Sequence, residues 1–127
     1  MSASSKFIHY LLTLLNFNPK NASAILRCLQ TILLLIAISK NNANIQKIIA
    51  FENGFDRILV IIKDEGYSDG GPVVEDCLHL FLNLLRNNNS NLTFFREGKK
   101  IFEVRILSVY SIDQQIILFL PCRELYQ

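Results

Sequence analysis

The side chains best suited to chemistry in this sequence are three cysteines and two histidines. Cys77 and His79 come closest to a nucleophile with its base, but residues two apart on a helix point in different directions. The acids Glu75 and Asp76 are adjacent, so they cannot flank one bond from opposite sides. The sequence therefore predicts a protein that is not an enzyme.

No metal or cofactor site is predicted either. The histidine, cysteine and carboxylate side chains lack the short spacings of a metal site, and His9 has no acid or cysteine near it in the sequence. The glycine-rich segment 66–71 lacks the Gly-Lys-Ser/Thr ending of a nucleotide loop and the carboxylate spacing of a calcium loop. We interpret this segment as a turn between helices.

The composition indicates one folded domain without affinity for nucleic acid. Half of the 127 residues are hydrophobic and 19% are charged, which is typical of a folded chain. The formal net charge is only +2, and the basic side chains are scattered along the sequence. The cysteines Cys28, Cys77 and Cys122 are far apart and odd in number, a pattern that favours reduced thiols inside the cell.

The N-terminal region carries a weak resemblance to a secretion signal. Residues 6–15 have the length of a signal-peptide core, and residues 22–24 resemble a cleavage site. Asparagines 21, 88 and 91 begin possible glycosylation sequons. However, a single lysine supplies the positive charge at the start of this segment, and His9 and Thr13 interrupt its apolar residues. We therefore expect a cytoplasmic protein, and no transmembrane span, because 18 consecutive apolar residues occur nowhere.

The most informative pattern is an internal repeat. Residues 33–45 and 80–92 align at a spacing of 47 positions, each with an apolar helix end, an Asn-rich turn and the start of another helix. This period falls at the upper edge of the armadillo and HEAT range. The sequence therefore predicts an all-α fold, namely an armadillo/HEAT-like helical solenoid fragment of about two repeats.

Individual helices are predicted from apolar periodicity and capping residues. Asn44 is the expected cap of one helix, and Asn53 with Asp56 the expected capping pair of the next. Gly66 and Gly98 are the expected helix stops, and Pro72 the expected first helical residue. The predicted helices cover residues 24–38, 45–51, 53–65, 73–87 and 91–97. Because residues 32–38 are apolar all round, the first of these helices should need cover from a neighbour.

A polar stripe on the helix 73–87 is the predicted partner-binding surface. Its members are Glu75, His79, Asn83 and Arg86, at spacings of four, four and three residues. Asn83 lies within Leu82-Asn83-Leu84, which is similar to the armadillo pattern whose asparagine clamps a peptide backbone. The alternative is a solvated polar face, since residue 36, its partner at the 47-residue spacing, is isoleucine.

Several long segments resemble the family of the general vesicular transport factors, the Uso-type tethers. The segments are Ile45–Leu59, Glu65–Cys77, Asn83–Asn91 and Phe94–Gly98, within a match that covers about residues 33–101. The resemblance implies an armadillo head that docks vesicles before fusion in transport from the endoplasmic reticulum to the Golgi. It also implies a peripheral Golgi location, and Rab-type GTPases, golgins and SNAREs as partners.

The resemblance divides the chain into three parts. Residues 1–24 are expected to form a poorly matched N-terminal helix, residues 25–101 the armadillo-like repeats of the tether head, and residues 102–127 a divergent tail. The dimerising coiled coil and the acidic tail that the family implies have no counterpart in these residues. Two alternatives to a tether head therefore stay open: a truncated or alternatively spliced fragment with no tethering activity of its own, and a generic peptide-binding armadillo module.

The tail generates a prediction about the transcript. Val104-Arg105 can be encoded by bases that match a splice-donor signal, and the resemblance stops within a few residues of Phe102. We expect the residues from about 104 onward to be translated from unspliced or alternative sequence, with Ile116–Leu120 loosely docked or prone to aggregate. Sequencing of the transcript across this point tests the expectation. A constitutive exon encoding a tightly packed tail would show that it is wrong.

Overall fold

The computed structural model describes residues 2–15, 20–65 and 71–97. Within these ranges the chain forms helices and no strand, which confirms the prediction of an all-α fold. The helices are α1 (Ala3–Thr13), α2 (Ala22–Ser39), α3 (Ala43–Phe51), α4 (Gly54–Asp64), α5 (Gly71–Leu85) and α6 (Asn89–Glu97). The predicted stops at Gly66 and Gly98 and the predicted tail at 102–127 lie outside the described residues.

Asparagines define the helix ends, but not all of them in the predicted way. Asn42, rather than Asn44, caps α3, and its side-chain oxygen accepts a hydrogen bond from the Ile45 amide at 3.1 Å. The capping pair predicted for α4 is wrong, because Asn53 adopts a left-handed conformation (φ 66°, ψ 30°) and makes no side-chain cap bond. Asparagine tolerates this conformation better than most residues do, so Asn53 allows the sharp turn between α3 and α4.

The helices form two similar units of three. Helices α1, α2 and α3 have 11, 18 and 9 residues, and α4, α5 and α6 have 11, 15 and 9. The first residues of α3 and α6, Ala43 and Asn89, are 46 positions apart, so the register is 46 rather than the predicted 47. The buried residues of α2 agree with this register: Cys28, Thr31, Ile32, Leu35 and Ser39 correspond to Val74, Cys77, Leu78, Phe81 and Leu85, all of which are buried.

Equivalent helices of the two units pack on each other, α2 on α5 and α3 on α6. Where α4, α5 and α6 meet, the rings of Phe55, Phe81 and Phe95 form a cluster with centroid separations of 5.1 to 5.3 Å. Such edge-to-face and tilted ring pairs add to the free energy gained by burying the rings. The core is therefore continuous from the first unit to the second.

The N-terminal helix is an integral part of this core. Ile8, Leu11 and Leu12 are buried on its inner face, so the signal-like segment 6–15 packs against the rest of the fold. His9, which has no acid near it in the sequence, lies 2.9 Å from the carboxylate of Glu52 through its Nδ1. The fold therefore joins the middle of α1 to the end of α3 with a contact that the sequence spacing did not indicate.

Helix α2 is the least covered of the long helices. Leu33 and Leu34 are 53% and 40% exposed, in agreement with the prediction that this helix needs a neighbour. With 18 residues and a mean hydropathy of 1.9, α2 meets a length-and-composition criterion for crossing a membrane, and 28% of it is buried within the fold. The sequence-based expectation of no spanning segment used a stricter criterion, namely 18 consecutive apolar residues. Core helices also meet this criterion, and α2 packs on α1, α3 and α5.

The aromatic cluster generates a stability prediction. Replacing the buried Phe95 in Phe95→Ala should lower the free energy of unfolding by about 3–5 kcal/mol, because the ring leaves a cavity between α4, α5 and α6. The matched control is Phe51→Ala, which removes a ring that is 80% exposed and should change that free energy by no more than about 0.5 kcal/mol. Urea unfolding followed by circular dichroism measures both. Equal losses would contradict the described packing.

Candidate interaction surface

The predicted polar stripe follows α5 and meets a cleft beside the end of α2. Helix α5 and the turn after it contribute His79, Asn83 and Arg86 to a cavity of about 510 Å³. The end of α2 and the start of α3 contribute Ile36, Lys40 and Gln46, among others. Glu75 is exposed on α5 but does not line the cleft. The structure thus brings three of the four predicted residues together and adds a wall from the first unit.

Asn83 connects the two units across the cleft. Its Nδ2 donates to the carbonyl of Ile36 at 3.1 Å and also lies 3.4 Å from the Ser39 hydroxyl oxygen. Its two amide hydrogens therefore have acceptors within the protein, and the carbonyl oxygen is what the side chain offers to a ligand. In the 46-residue register the equivalent residue of α2 is Ala37, so Asn83 has no counterpart and no ladder of asparagines exists in these two helices.

The cleft has a cationic lining. Lys40, His79 and Arg86 face it, and none of the described residues that line it is acidic. The carboxyl ends of α2 and α5 lie nearby, and each contributes a partial negative charge of roughly half a unit from its terminal carbonyls. The full charges of Lys40 and Arg86 exceed those partial charges. The described lining therefore has basic side chains and no acidic one.

Beneath the cleft, Gln46 is the centre of a buried polar network. It is 5% exposed, and its Nε2 donates to the carbonyl of Ser39 at the end of α2, at 2.7 Å. Its Oε1 accepts from Nδ2 of Asn88, at 2.9 Å, just before α6. The side chain of Gln46 thus links the end of the first unit's long helix to the start of the second unit's last helix.

Asn91 completes the network from α6. The side chain is 2% exposed, and its Nδ2 donates to the carbonyls of Gln46 at 3.0 Å and Leu84 at 2.8 Å. Its backbone amide donates to Oδ1 of Asn88 at 3.0 Å, which caps α6. Buried polar groups are expensive unless they are hydrogen-bonded, and here every side chain has a partner. The network therefore fixes one wall of the cleft.

The two described cysteines lie in the packed interior rather than in the cleft. Burial, together with the nearby Glu65 carboxylate, raises the pKa of the Cys28 thiol to about 11. Burial is also the main cause that raises the pKa of Cys77 to about 12. Both thiols are therefore protonated at neutral pH and are poor nucleophiles. Among the described residues, no group of three or more histidine, cysteine or acidic side chains could hold a metal ion.

Sequence reasoning identified one wall of the cleft and missed the other. His79, Asn83 and Arg86 were found from helical spacing, whereas Lys40 and Gln46 lie on elements with no sequence pattern that points to a site. The sequence signal that could have identified the second wall was the internal repeat. Equivalent helices of stacked units lie side by side, so the end of α2 had to lie beside α5.

The polar network generates a second stability prediction. In Asn91→Ala the carbonyls of Gln46 and Leu84 lose the hydrogen bonds donated by the Asn91 side chain, so the free energy of unfolding should fall by about 2–4 kcal/mol. The matched control is Asn89→Ala, which changes an exposed asparagine two residues away and should cost no more than about 0.5 kcal/mol. Chemical unfolding of both variants provides the comparison. An Asn91→Ala variant as stable as the control would show that the network contributes nothing.

Comparisons with known proteins give several relatives, whereas no protein-family model matches the chain. The human general vesicular transport factor p115 is 63% identical over 70 residues, which is 55% of this chain and 7% of the human protein. Yeast intracellular protein transport protein USO1 is 40% identical over 90 residues, 71% of this chain and 5% of the yeast protein. Golgin candidate 6 of Arabidopsis thaliana is 49% identical over 49 residues, 39% of this chain and 5% of the plant protein.

The chain therefore spans about 5–7% of the length of these curated relatives. Animal, fungal and plant relatives agree with the resemblance found in the sequence, and the animal and fungal ones are named as transport proteins. Through this shared segment, the chain belongs to the family of the Uso-type general vesicular transport factors.

Proposed function

We propose that this chain is a non-catalytic protein-interaction module that acts in vesicle docking during transport from the endoplasmic reticulum to the Golgi. The observation that carries the proposal is the 63% identity over 70 residues to a general vesicular transport factor. Identity of this extent over half of the chain supports a shared surface as well as a shared fold. Within this proposal, the module acts by presenting that surface to a partner.

We assign the fold of the module to the armadillo type. Two features support the assignment: three helices in each unit and a register of 46 residues between the units. Stacking of equivalent helices, α2 on α5 and α3 on α6, is how repeat units of this kind bury a common core. Two such units form the described part of the chain, so it corresponds to a short segment of an armadillo head.

The cleft between α2 and α5 is the proposed partner surface. It contains His79, Asn83 and Arg86 of the predicted stripe, together with Lys40, whereas Glu75 is exposed on the same helix and does not line the cleft. Its cationic lining suits an acidic segment on a protein of the docking machinery. By family resemblance, that protein is a Rab-type GTPase, a golgin or a SNARE. The proposed location is cytoplasmic, peripheral on Golgi membranes and transport vesicles.

The alternative is that the chain has no independent tethering activity. Leu33 and Leu34 are exposed on α2, as expected for a fragment that lacks part of its natural cover. A truncated or alternatively spliced product would keep the fold without tethering. A generic peptide-binding armadillo module would instead bind extended peptides that have no connection with vesicle traffic.

A transport assay in permeabilised cells separates these possibilities. Added in excess, the chain should compete for docking partners and lower the arrival of a cargo protein at the Golgi. The double variant Lys40→Glu/Arg86→Glu reverses two charges of the cleft and should compete at least about tenfold less well, which corresponds to about 1.4 kcal/mol. Lys6→Glu/Lys63→Glu makes the same change of net charge at exposed positions outside the cleft and should compete like the unchanged chain.

Each outcome of this assay has a distinct meaning. No competition by the unchanged chain would favour the fragment without tethering activity. Equal competition by both double variants would remove the cleft from the proposal and leave the transport role. Competition that is also relieved by an unrelated acidic peptide would favour the generic peptide-binding module. Circular dichroism of each variant confirms that the helices are intact.

A further inference from the structure

The turn between α3 and α4 contains the only Asn-Gly dipeptide of the sequence, Asn53-Gly54. This turn is also the covalent connection between the first three helices and the last three. In such a dipeptide the backbone nitrogen of the glycine can attack the asparagine side chain, because glycine has no Cβ to shield that nitrogen. A chemically reactive dipeptide therefore lies at the junction of the two units.

The side chain of Asn53 is not held by the fold. It is exposed and makes no cap hydrogen bond to α4, and the described residues provide no other side-chain partner for it. The backbone of the same residue is held on both sides. Its amide donates to the carbonyl of Ala50 at 3.2 Å, and its carbonyl accepts from the amide of Arg57 at 3.2 Å. The protection of Asn53 therefore depends on its backbone conformation.

That conformation prevents the attack. The Gly54 nitrogen reaches Cγ of Asn53 only when both lie on the same side of the Asn53 Cα–C bond. At the observed ψ of 30° the Gly54 nitrogen lies nearly opposite to Cβ about this bond, so the atoms that must bond are held apart. Gly54 is also buried, which keeps water and hydroxide away from its amide proton. The folded turn therefore protects a dipeptide that the open turn would expose.

We propose that Asn53 is a deamidation site that is closed in the folded chain and reacts when the turn between the two units opens. Rotation of ψ brings the Gly54 nitrogen to Cγ of Asn53, and hydroxide removes the Gly54 amide proton. The nitrogen then forms a bond to Cγ, the bond from Cγ to Nδ2 breaks, and Nδ2 takes a proton from water and leaves as ammonia. Water opens the cyclic imide at Cγ to give aspartate, or at the backbone carbonyl carbon to give isoaspartate.

The two products differ in how they fit the turn. Aspartate tolerates the left-handed conformation much as asparagine does, and its carboxylate lies near the positive end of α4. Isoaspartate adds a carbon to the main chain beside Gly54, where there is no room. Even a Cβ on Gly54 would lie 2.4 Å from Cγ2 of Ile49 and 2.6 Å from its carbonyl oxygen. Formation of isoaspartate therefore prevents the turn from closing again.

Peptide mapping by mass spectrometry of the full chain, aged at mildly alkaline pH with and without guanidinium chloride, tests the site. In the unfolded chain Asn53 should deamidate faster than every other asparagine, including Asn89, which precedes a serine. In the folded chain Asn53 should react at least about tenfold more slowly, the factor given by an opening free energy of about 1.4 kcal/mol. An unfolded chain in which Asn89 reacts as fast as Asn53 would overturn the assignment of the site, and equal rates at Asn53 in the two states would overturn the protection.

A pair of variants tests whether opening of the turn controls the rate. Phe55→Ala removes a buried ring from the first turn of α4, so it should increase the open population and accelerate deamidation of Asn53 without denaturant by at least about tenfold. Val60→Ala changes a 55% exposed residue of the same helix and should react like the unchanged chain. Equal rates in the two variants would contradict control by the turn.

Refolding separates the consequences of the two products. The aged, unfolded chain is diluted out of denaturant, the folded monomer is isolated by size exclusion, and isoaspartate is measured by labelling with an isoaspartyl methyltransferase. The folded fraction should contain aspartate at position 53 and be depleted of isoaspartate there. Asn53→Asp should unfold at the same urea concentration as the unchanged chain. Isoaspartate in the folded fraction, at its proportion in the aged mixture, would show that the turn accommodates it and would overturn this consequence.

Discussion

The arrangement of the two units depends on a few buried amides. Gln46, Asn88 and Asn91 join the end of α2, the start of α3, the end of α5 and the start of α6 through hydrogen bonds of 2.7 to 3.0 Å. Apolar packing between α2 and α5 is non-directional and would tolerate small slides. Amide hydrogen bonds are directional, and a slide of one residue would leave buried donors without acceptors. The network therefore fixes the register of 46 residues on which the cleft depends.

The presence of the predicted helices could be read from the sequence more accurately than the positions of their first residues. Apolar periodicity located each predicted helix, because burial of one face is visible in the residue types alone. The starts of α3 and α6 were both predicted two residues late, since each follows a run in which several asparagines could serve as cap. Asn41 and Asn87 take the left-handed conformation, and the next asparagine caps. At α6 the cap Asn88 also donates to Gln46 of the other unit, and no local pattern contains that information.

The candidate site shows the same division between local and non-local information. His79, Asn83 and Arg86 share a helix face, so their proximity follows from helical spacing alone. The opposite wall is formed by residues about 40 positions earlier in the chain. Predicting it would require knowledge of how the two units stack. Asn83 also has a role that its sequence context concealed: it donates its amide to α2 across the cleft and supports the wall beside which a partner would lie.

The burial of Asn88 and Asn91 has a consequence for where this chain can fold. Both residues begin N-glycosylation sequons, and a glycan would be attached to Nδ2, the same nitrogen that each uses to donate its hydrogen bonds inside the protein. Oligosaccharide transfer to either nitrogen before folding would remove a donor and force a bulky sugar into the space between α3 and α6. Each of these side chains can either donate its buried hydrogen bonds or carry a glycan, but it cannot do both. A copy that was glycosylated at Asn88 or Asn91 in the endoplasmic reticulum would therefore be unable to form this buried hydrogen-bond network.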